Sequence, residues 1–179
     1  MKNVGVNELK KYLKNRNSKE LEEEIINLFK IFPEVKELYS AKLNPDSQLE
    51  LQKKYKKIIS KEFLPVGNRL SLKYKNCRDA IRDFNKVCEN TELVADLMLH
   101  YAEEGVEFTN NFGDIDEQFY INIAKGYYSA LEYIFDNKLQ EKFKKRAYKI
   151  MEDGQGIGWG FEEELADCYY DYYGSDDEE

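Results

Sequence analysis

The chain has 179 residues, of which 42% are hydrophobic and 14% aromatic, a composition that predicts one folded domain with a core and excludes a disordered chain. Its net charge of −8 is unevenly divided, because residues 1–90 carry 20 basic and 13 acidic side chains (+7) and residues 91–179 carry 7 and 22 (−15). The acidic half disfavours non-specific binding to nucleic acid, whose phosphates are themselves negative.

Polar caps and apolar residues at intervals of three and four predict four helices before a break at residues 65–68. Asn7 is expected to cap the first helix, Ser18 the second and Asp46 the fourth. Pro33 suits the first turn of the third helix, because its missing N–H has no partner there in any case.

The second helix carries an apolar stripe with spacings of four, three and four, formed by Leu21, Ile25, Leu28 and Phe32. Such a stripe is typical of a helix that buries one face. We therefore expect the first two helices to form an amphipathic hairpin that covers the core.

The second half of the chain continues the helical pattern. The fifth helix has the clearest stripe, with Cys77, Ile81, Phe84 and Cys88 on one face. Asn90 and Thr91 are expected to start the sixth helix and Gly105 to end it.

Two loops then separate the last helices. A polar loop at residues 110–114 precedes the seventh helix, and a glycine-rich break at residues 154–158 separates the eighth helix from the ninth, which runs from about Trp159 to Tyr173. The fold prediction is all-α, a compact bundle of about eight to nine helices in antiparallel pairs. Residues 1–174 are predicted to form a single helical domain and residues 175–179 a disordered acidic tail.

Cysteine usage and hydropathy indicate the compartment. No apolar run has the length of a signal peptide or a membrane span. Cys77, Cys88 and Cys168 are odd in number and lack close spacing, which favours reduced, buried thiols over disulfides or a zinc site. We therefore expect a cytoplasmic protein without membrane association.

His100 is the single histidine of the chain. His100 and Glu103 have the i, i+3 spacing of bundle metal sites, but such sites use two histidines. The simpler interpretation is a histidine at a helix end, followed by caps at Asp114 or Asp116. A carboxylate-based metal-dependent enzyme stays an alternative, with these acids: Glu103, Glu104, Glu107, Asp114, Asp116 and Glu117. We predict no catalytic, cofactor-binding or metal-binding residue.

Four glycines, at positions 154, 156, 158 and 160, alternate with other residues. Glycine-rich turns can hold phosphate at a helix N-terminus, but this turn has no P-loop or Rossmann spacing, and acids follow it at residues 162–164. We interpret it as a tight turn that needs positive φ. Trp159 is expected to fill the core, so that Trp159→Ala would cost roughly 3–5 kcal/mol.

The N-terminal segment gives a second alternative function. Its two predicted helices look like the helix-loop-helix of SAP-type nucleic-acid modules, and five basic residues could contact phosphates: Lys10, Lys11, Lys14, Arg16 and Lys19. The second helix is crowded with glutamates, which favours the amphipathic hairpin instead.

Four segments, taken in order, carry a family resemblance: residues 9–13, 32–36, 106–117 and 156–161. The chain resembles a bacterial family of domains of unknown function, catalogued as family 6155. The resemblance covers nearly the whole chain and is most specific in the segments 107–117 and 156–161. It implies a helical cytosolic protein and brings no activity or site residue with it.

The sequence contains no recognisable set of catalytic residues, and its two halves carry opposite net charges. Both observations favour a non-catalytic protein-interaction module. Its partner is expected to be a protein, with a basic protein as one candidate, and we expect neither nucleic acid nor a cofactor to bind. The two most specific segments supply the candidate interaction residues: Asn110, Asp114, Asp116, Glu117, Gly156, Gly158 and Trp159. Whether the glycine turn is functional or only structural is left open by the residues alone.

Overall fold

The computed structural model describes residues 4–64 and 72–174. The predicted break at residues 65–68 and the predicted tail at 175–179 lie outside these residues. Nine helices hold 82% of the described residues, which include no strand. The all-α prediction is therefore confirmed.

The bounds of the nine described helices are as follows. In chain order they are α1 Val6–Lys14, α2 Ser18–Ile31, α3 Pro33–Leu43, α4 Pro45–Glu62, α5 Tyr74–Val87, α6 Thr91–Phe112, α7 Glu117–Asp136, α8 Gln140–Asp153 and α9 Phe161–Tyr173.

Asparagine caps three of the described helices, α2, α4 and α6. Asn90 caps α6 as predicted, with its side-chain oxygen accepting from the Glu92 amide at 3.0 Å. The predicted caps of α2 and α4 are wrong by one or two residues, because Asn17 and Asn44 occupy those positions instead. An asparagine oxygen reaches the free amides of the first turn, so the helix begins directly after it.

Helix α1 also begins earlier than predicted, but its cap residue has no side-chain oxygen. Its cap is Gly5 and not Asn7, and the Glu8 carboxylate accepts from the Gly5 amide at 3.0 Å. The predicted Pro33 start of α3 is confirmed.

The longest helix, α6, lies at the centre and packs against α4, α5, α7 and α8. Gly105 does not end this helix, as we had expected, but lies inside it, where α6 meets α7. A Cβ at Gly105 would lie 2.5 Å from Cδ1 of Ile123, which is fully buried. The glycine is needed for close approach of two helices and not for a left-handed turn.

An aromatic row runs through the core toward the last loop. Phe108 lies 5.8 Å from Phe119 between ring centroids, Phe119 lies 5.2 Å from Tyr120, and Tyr120 lies 5.1 Å from Phe161. All four side chains are buried. Rings at these distances and tilts stabilise one another beyond simple burial, so the row joins α6, α7 and the start of α9.

An ion cluster fastens α4, α6 and α8 together. The Arg146 guanidinium donates to Glu103 through two nitrogens, at 2.5 and 2.7 Å, and also bonds to Asp96. Lys56 and the Gln52 amide meet the other Asp96 oxygen, each at 2.6 Å. Burial alone would raise the pKa of Asp96, but Lys56 and Arg146 outweigh it and lower that pKa below its ordinary value.

The N-terminal helices do not cover the core. Neither α1 nor α2 buries a residue, and Ile25 and Leu28 of the predicted stripe are 44% and 41% exposed. Helix α2 packs chiefly on α3, which buries only Ala41. The predicted hairpin over the core is therefore wrong, because the stripe lies at the periphery of the bundle.

Candidate functional site

Two loops that are distant in sequence lie side by side. The first, residues 113–116, joins α6 to α7, and the second, residues 154–160, joins α8 to α9. The Asn110 amide donates to the backbone carbonyl of Asp153 at 2.8 Å, and the Trp159 indole N–H donates to Oδ1 of Asp114 at 2.6 Å. The first bond joins the last turn of α6 to the end of α8, and the second joins the two loops.

The space between the loops is a cleft of about 610 Å³, which we call the Trp159 cleft. Its described lining residues are Thr109, Asn110, Gly113, Asp114, Tyr120, Gly156, Ile157, Gly158 and Trp159. Five of the seven candidate residues thus come together from two separate segments. Asp116 and Glu117 do not line the cleft.

The two residues outside the cleft have local positions at the start of α7. Asp116 caps this helix, since its Oδ1 accepts from the Phe119 amide at 2.8 Å, as one of our two cap predictions had it. Glu117 is the exposed first residue of the helix, where a negative charge is favoured by the helix dipole.

Asp114 is held from the protein side by Tyr120. The Tyr120 hydroxyl lies 3.1 Å from the same Oδ1 atom and 2.9 Å from Oγ1 of Thr109, and it accepts from the Ile115 amide at 3.3 Å. Tyr120 is buried, so its hydroxyl holds the Asp114 carboxylate from the side of the protein core. The second Asp114 oxygen, Oδ2, accepts no hydrogen bond from the described residues.

Trp159 does not fill the core, and that expectation is wrong. Its side chain is 58% exposed, and Phe161, which is 1% exposed, occupies the buried position instead. Trp159 and Gly160 have φ of 63° and 70°. Two successive left-handed residues turn the chain sharply, so that residue 161 faces the core and residue 159 faces the cleft.

The rest of the glycine turn combines left-handed backbone with close packing. Gly156 has φ of 77°, as expected for a tight turn, and its amide donates to the Glu162 carboxylate at 2.8 Å. Gly154 is buried, and a Cβ there would lie 2.5 Å from Cδ1 of Leu165. Gly158 has open space around it, which leaves one wall of the cleft without side chains.

A comparison with known families assigns the chain. A family model described as "Family of unknown function (DUF6155)" matches residues 4–173. The chain belongs to this family. The DUF6155 match spans all nine described helices. Neither a curated protein nor a solved structure matches the chain.

Sequence reasoning missed Tyr120 and Thr109 as parts of the cleft. Tyr120 adjoins the apolar stripe of α7, and a tyrosine in that setting looks like an ordinary core residue. Its role depends on the hydroxyl, which reaches Asp114 across the loop. No spacing in the sequence indicates which tyrosine hydroxyl meets a loop carboxylate.

A second polar group lies outside the Trp159 cleft, on α4 and α6. The Ser60 hydroxyl is 2.5 Å from Oε1 of Glu104 and 3.0 Å from Nε2 of His100, and that same ring nitrogen is 3.3 Å from the Glu104 oxygen. A serine–histidine–acid relay needs the serine and the acid on opposite ring nitrogens. Here both meet one nitrogen, so this geometry is not that of a relay.

His100 lies within α6 and not at a helix end, because α6 extends to Phe112. Burial lowers the pKa of the imidazole below its ordinary value, against the opposing effect of Glu104. The DUF6155 chain therefore holds His100 as a neutral ring near pH 7. No three histidine, cysteine, aspartate or glutamate side chains among the described residues are placed to share a metal ion.

The cysteines are buried, as predicted, and separate from one another. Burial raises the pKa of the Cys77 thiol to about 12 and that of the Cys168 thiol to about 11. Because the thiolate is the reactive form, these cysteines are poor nucleophiles in the folded DUF6155 chain. No helix in the described ranges is both long and apolar enough to span a bilayer.

Proposed function

We propose that this chain is a non-catalytic protein-interaction module that binds a basic segment of a partner protein in the Trp159 cleft. The observation that carries the proposal is the exposed Trp159 side chain, which is held in a left-handed backbone conformation with its indole N–H on Asp114. A non-glycine residue in that region is strained, and such strain concentrates at functional sites.

The chemistry of the cleft favours a cation. Asp114 is the one charged residue among the described lining residues, and its Oδ2 atom accepts nothing from them. The exposed indole offers its face to a lysine or arginine side chain, an arrangement worth about 0.5–1 kcal/mol at exposed sites and more when desolvated. A carboxylate and an indole together thus select a basic side chain over an acidic one.

The surroundings add negative charge around the cleft. Helix α9 begins directly after the turn with Glu162, Glu163 and Glu164, and it is anchored by buried residues that include Phe161 and Leu165. The acids are therefore displayed on a fixed helix. An acidic rim speeds encounter with a basic partner and makes binding weaken with salt.

Binding is already prepared in the free protein. The indole is bonded to Asp114, Asp114 is bonded to buried Tyr120, and α6 is joined to the end of α8 through Asn110. A site whose side chains are ordered before binding loses less conformational entropy when the partner arrives. Tryptophan is also among the residues that most often dominate interface affinity.

The test uses tryptophan fluorescence, because Trp159 is the single tryptophan of the chain. Hexalysine and hexaarginine are titrated into the full chain, with hexaglutamate as the matched peptide control, and calorimetry gives the affinities of the variants. We expect both basic peptides to shift the emission and hexaglutamate to leave it unchanged. Absence of binding by either basic peptide would contradict the proposal.

Variants locate the binding. Trp159→Ala and Asp114→Asn are each expected to weaken hexaarginine at least about tenfold, a change typical of interface hot spots. Tyr170→Ala is the control, because Tyr170 is also an exposed aromatic residue but does not line the cleft. Equal affinity in all three variants would show that the peptide binds elsewhere.

The same preparation tests the alternative functions. Duplex binding that falls steeply with salt and is lost when the basic residues of α1 are neutralised would favour a nucleic-acid-associated protein. A stoichiometric metal ion that survives dialysis and is lost on His100→Ala would favour the metal-dependent enzyme. The cytoplasm is the compartment we propose, because the chain keeps three buried free thiols.

A further inference from the structure

Helices α1 and α2 form a projecting arm, residues 6–31, that buries none of its residues. Large apolar side chains of the arm are exposed on both helices: Val6 is 69% exposed, Leu9 47%, Ile25 44%, Leu28 41% and Ile31 67%. Single exposed apolar residues are ordinary, but five on two consecutive amphipathic helices indicate an interaction surface.

Arg16 lies between the two helices and bonds to both. Its guanidinium donates to the Tyr12 hydroxyl at 2.8 Å and to the Glu20 carboxylate at 3.2 Å, so one side chain bonds to both helices. The Asn17–Glu20 capping box sets the start of α2 in the same corner. The arm therefore presents a defined apolar surface and not two independent segments.

The two helices of the arm carry opposite charges. Helix α1 has basic side chains and α2 has acidic ones, and none of the following six forms an ion pair with a described residue: Lys10, Lys11, Lys14, Glu22, Glu23 and Glu24. A surface that is basic on one part and acidic on the other is complementary to itself after a two-fold rotation.

From this complementarity we infer that the arm is a homodimerisation surface, on which α1 of one chain packs against α2 of a second copy around a two-fold axis. In this arrangement the basic helix α1 lies beside the acidic helix α2 of the other chain, and the exposed apolar side chains of both arms are covered. The occupant is a second copy of this chain and not an anionic membrane or a nucleic acid, because phosphates would repel the α2 glutamates.

The arrangement can be tested by charge reversal on each helix. The first variant makes α1 acidic, and the second makes α2 basic. The substitutions are Lys10→Glu, Lys11→Glu and Lys14→Glu in the first, and Glu22→Lys, Glu23→Lys and Glu24→Lys in the second. Sedimentation velocity over a range of protein concentrations measures the mass of each chain and of their equimolar mixture.

The wild-type chain is expected to be a dimer whose dissociation constant rises with salt. Each reversed variant alone juxtaposes like charges, so its dissociation constant rises at least about tenfold. The equimolar mixture restores opposite charges at both contacts and gives heterodimers. Lys144→Glu with Lys145→Glu on α8 is the control, because those exposed lysines lie outside the arm.

Circular dichroism verifies that the variants fold, and folding is expected because no arm residue belongs to the core. A wild-type chain that is monomeric at every concentration would overturn the inference. So would a dimer that is indifferent to the arm substitutions, or a mixture of the two reversed variants that stays monomeric.

Discussion

The Trp159 indole and the Asp114 carboxylate are joined by a 2.6 Å hydrogen bond across 45 positions of the chain. The bond is made by a side chain that is mostly exposed and whose backbone lies in the left-handed region. The tryptophan is thus ordered without being buried, a combination that serves recognition better than core stability.

At residue 159, glycine should give a more stable protein than alanine, which is the reverse of their order inside a helix. Because φ is 63°, Trp159→Gly is expected to leave the protein about 1 kcal/mol more stable than Trp159→Ala. Neither should cost the 3–5 kcal/mol of a buried aromatic residue. Chemical denaturation measures both, and Tyr148→Gly against Tyr148→Ala on α8 is the control, where alanine should be the more stable by about 1 kcal/mol. Alanine more stable at both positions would contradict the strain argument.

Gly105→Ala should destabilise the protein although alanine is the better helix former. The new methyl group would lie within 2.5–2.7 Å of three Ile123 side-chain atoms, and overpacking of this kind costs about 1–3 kcal/mol. That loss exceeds the helix-propensity gain of about 1 kcal/mol. Thermal unfolding measures the change. Gly158→Ala, which meets open space, is the control, and a stabilised Gly105→Ala variant would mean that α6 and α7 pack less closely than described.

The sequence predicted where helices exist better than what each helix contacts. Three-four spacing predicted α2, but spacing cannot tell whether a partner surface exists, and Ile25 and Leu28 remain exposed. Gly105 was predicted to end α6, but it lies inside the helix. Glycine serves in both places because it has no Cβ, so the sequence cannot tell a glycine that ends a helix from one that makes room for a neighbouring side chain.

The unusual residues of segments 107–117 and 156–161 could be recognised in the sequence. That the two segments lie side by side in the folded protein could not be predicted. The hydrogen bonds from Asn110 to Asp153 and from Trp159 to Asp114 depend on how α6, α7, α8 and α9 pack. The direction of Trp159 follows from two left-handed residues in succession, which residue types alone do not specify.

Arg146 should be more important for stability than a surface ion pair. Arg146→Ala leaves Asp96 and Glu103 without their guanidinium, and the loss is expected to be about 2–3 kcal/mol, below that of a fully buried pair because the cluster is partly exposed. Arg146→Lys should recover only part of this, because an ammonium cannot make the two-pronged contact with Glu103. Urea denaturation compares them with Lys149→Ala, an exposed α8 lysine paired with Glu152 and Asp153. A loss equal to that control would contradict the prediction.

The neutral state of His100 should appear in the pH dependence of stability. Its folded-state pKa is lowered, so between that value and the unfolded value of about 6.5 the unfolded chain binds more protons. Stability contributed by His100 is therefore present above pH of about 6.5 and lost as the pH falls toward the folded-state pKa. Denaturation of the wild type and of His100→Gln across this range isolates the difference.

The single histidine also permits a direct measurement. Imidazole NMR signals of the folded chain report His100 alone, and their midpoint should lie below about 6.5. Glu104→Gln removes a charge that favours the protonated ring, so it should lower the midpoint further. A midpoint above the ordinary value, or one raised by Glu104→Gln, would contradict the assignment.

The exposed arm also divides the molecule into regions of unequal cooperativity. Amide hydrogens of α1 and α2 lie in helices that bury no residue in the core, so they can exchange with solvent through local opening. Amides of α6 and α7, which surround fully buried Leu97, Ile123 and Ile134, should exchange only when the whole domain unfolds. Measured exchange in dilute protein should therefore give lower opening free energies for the first two helices than for the central pair, whose values should be close to the global one.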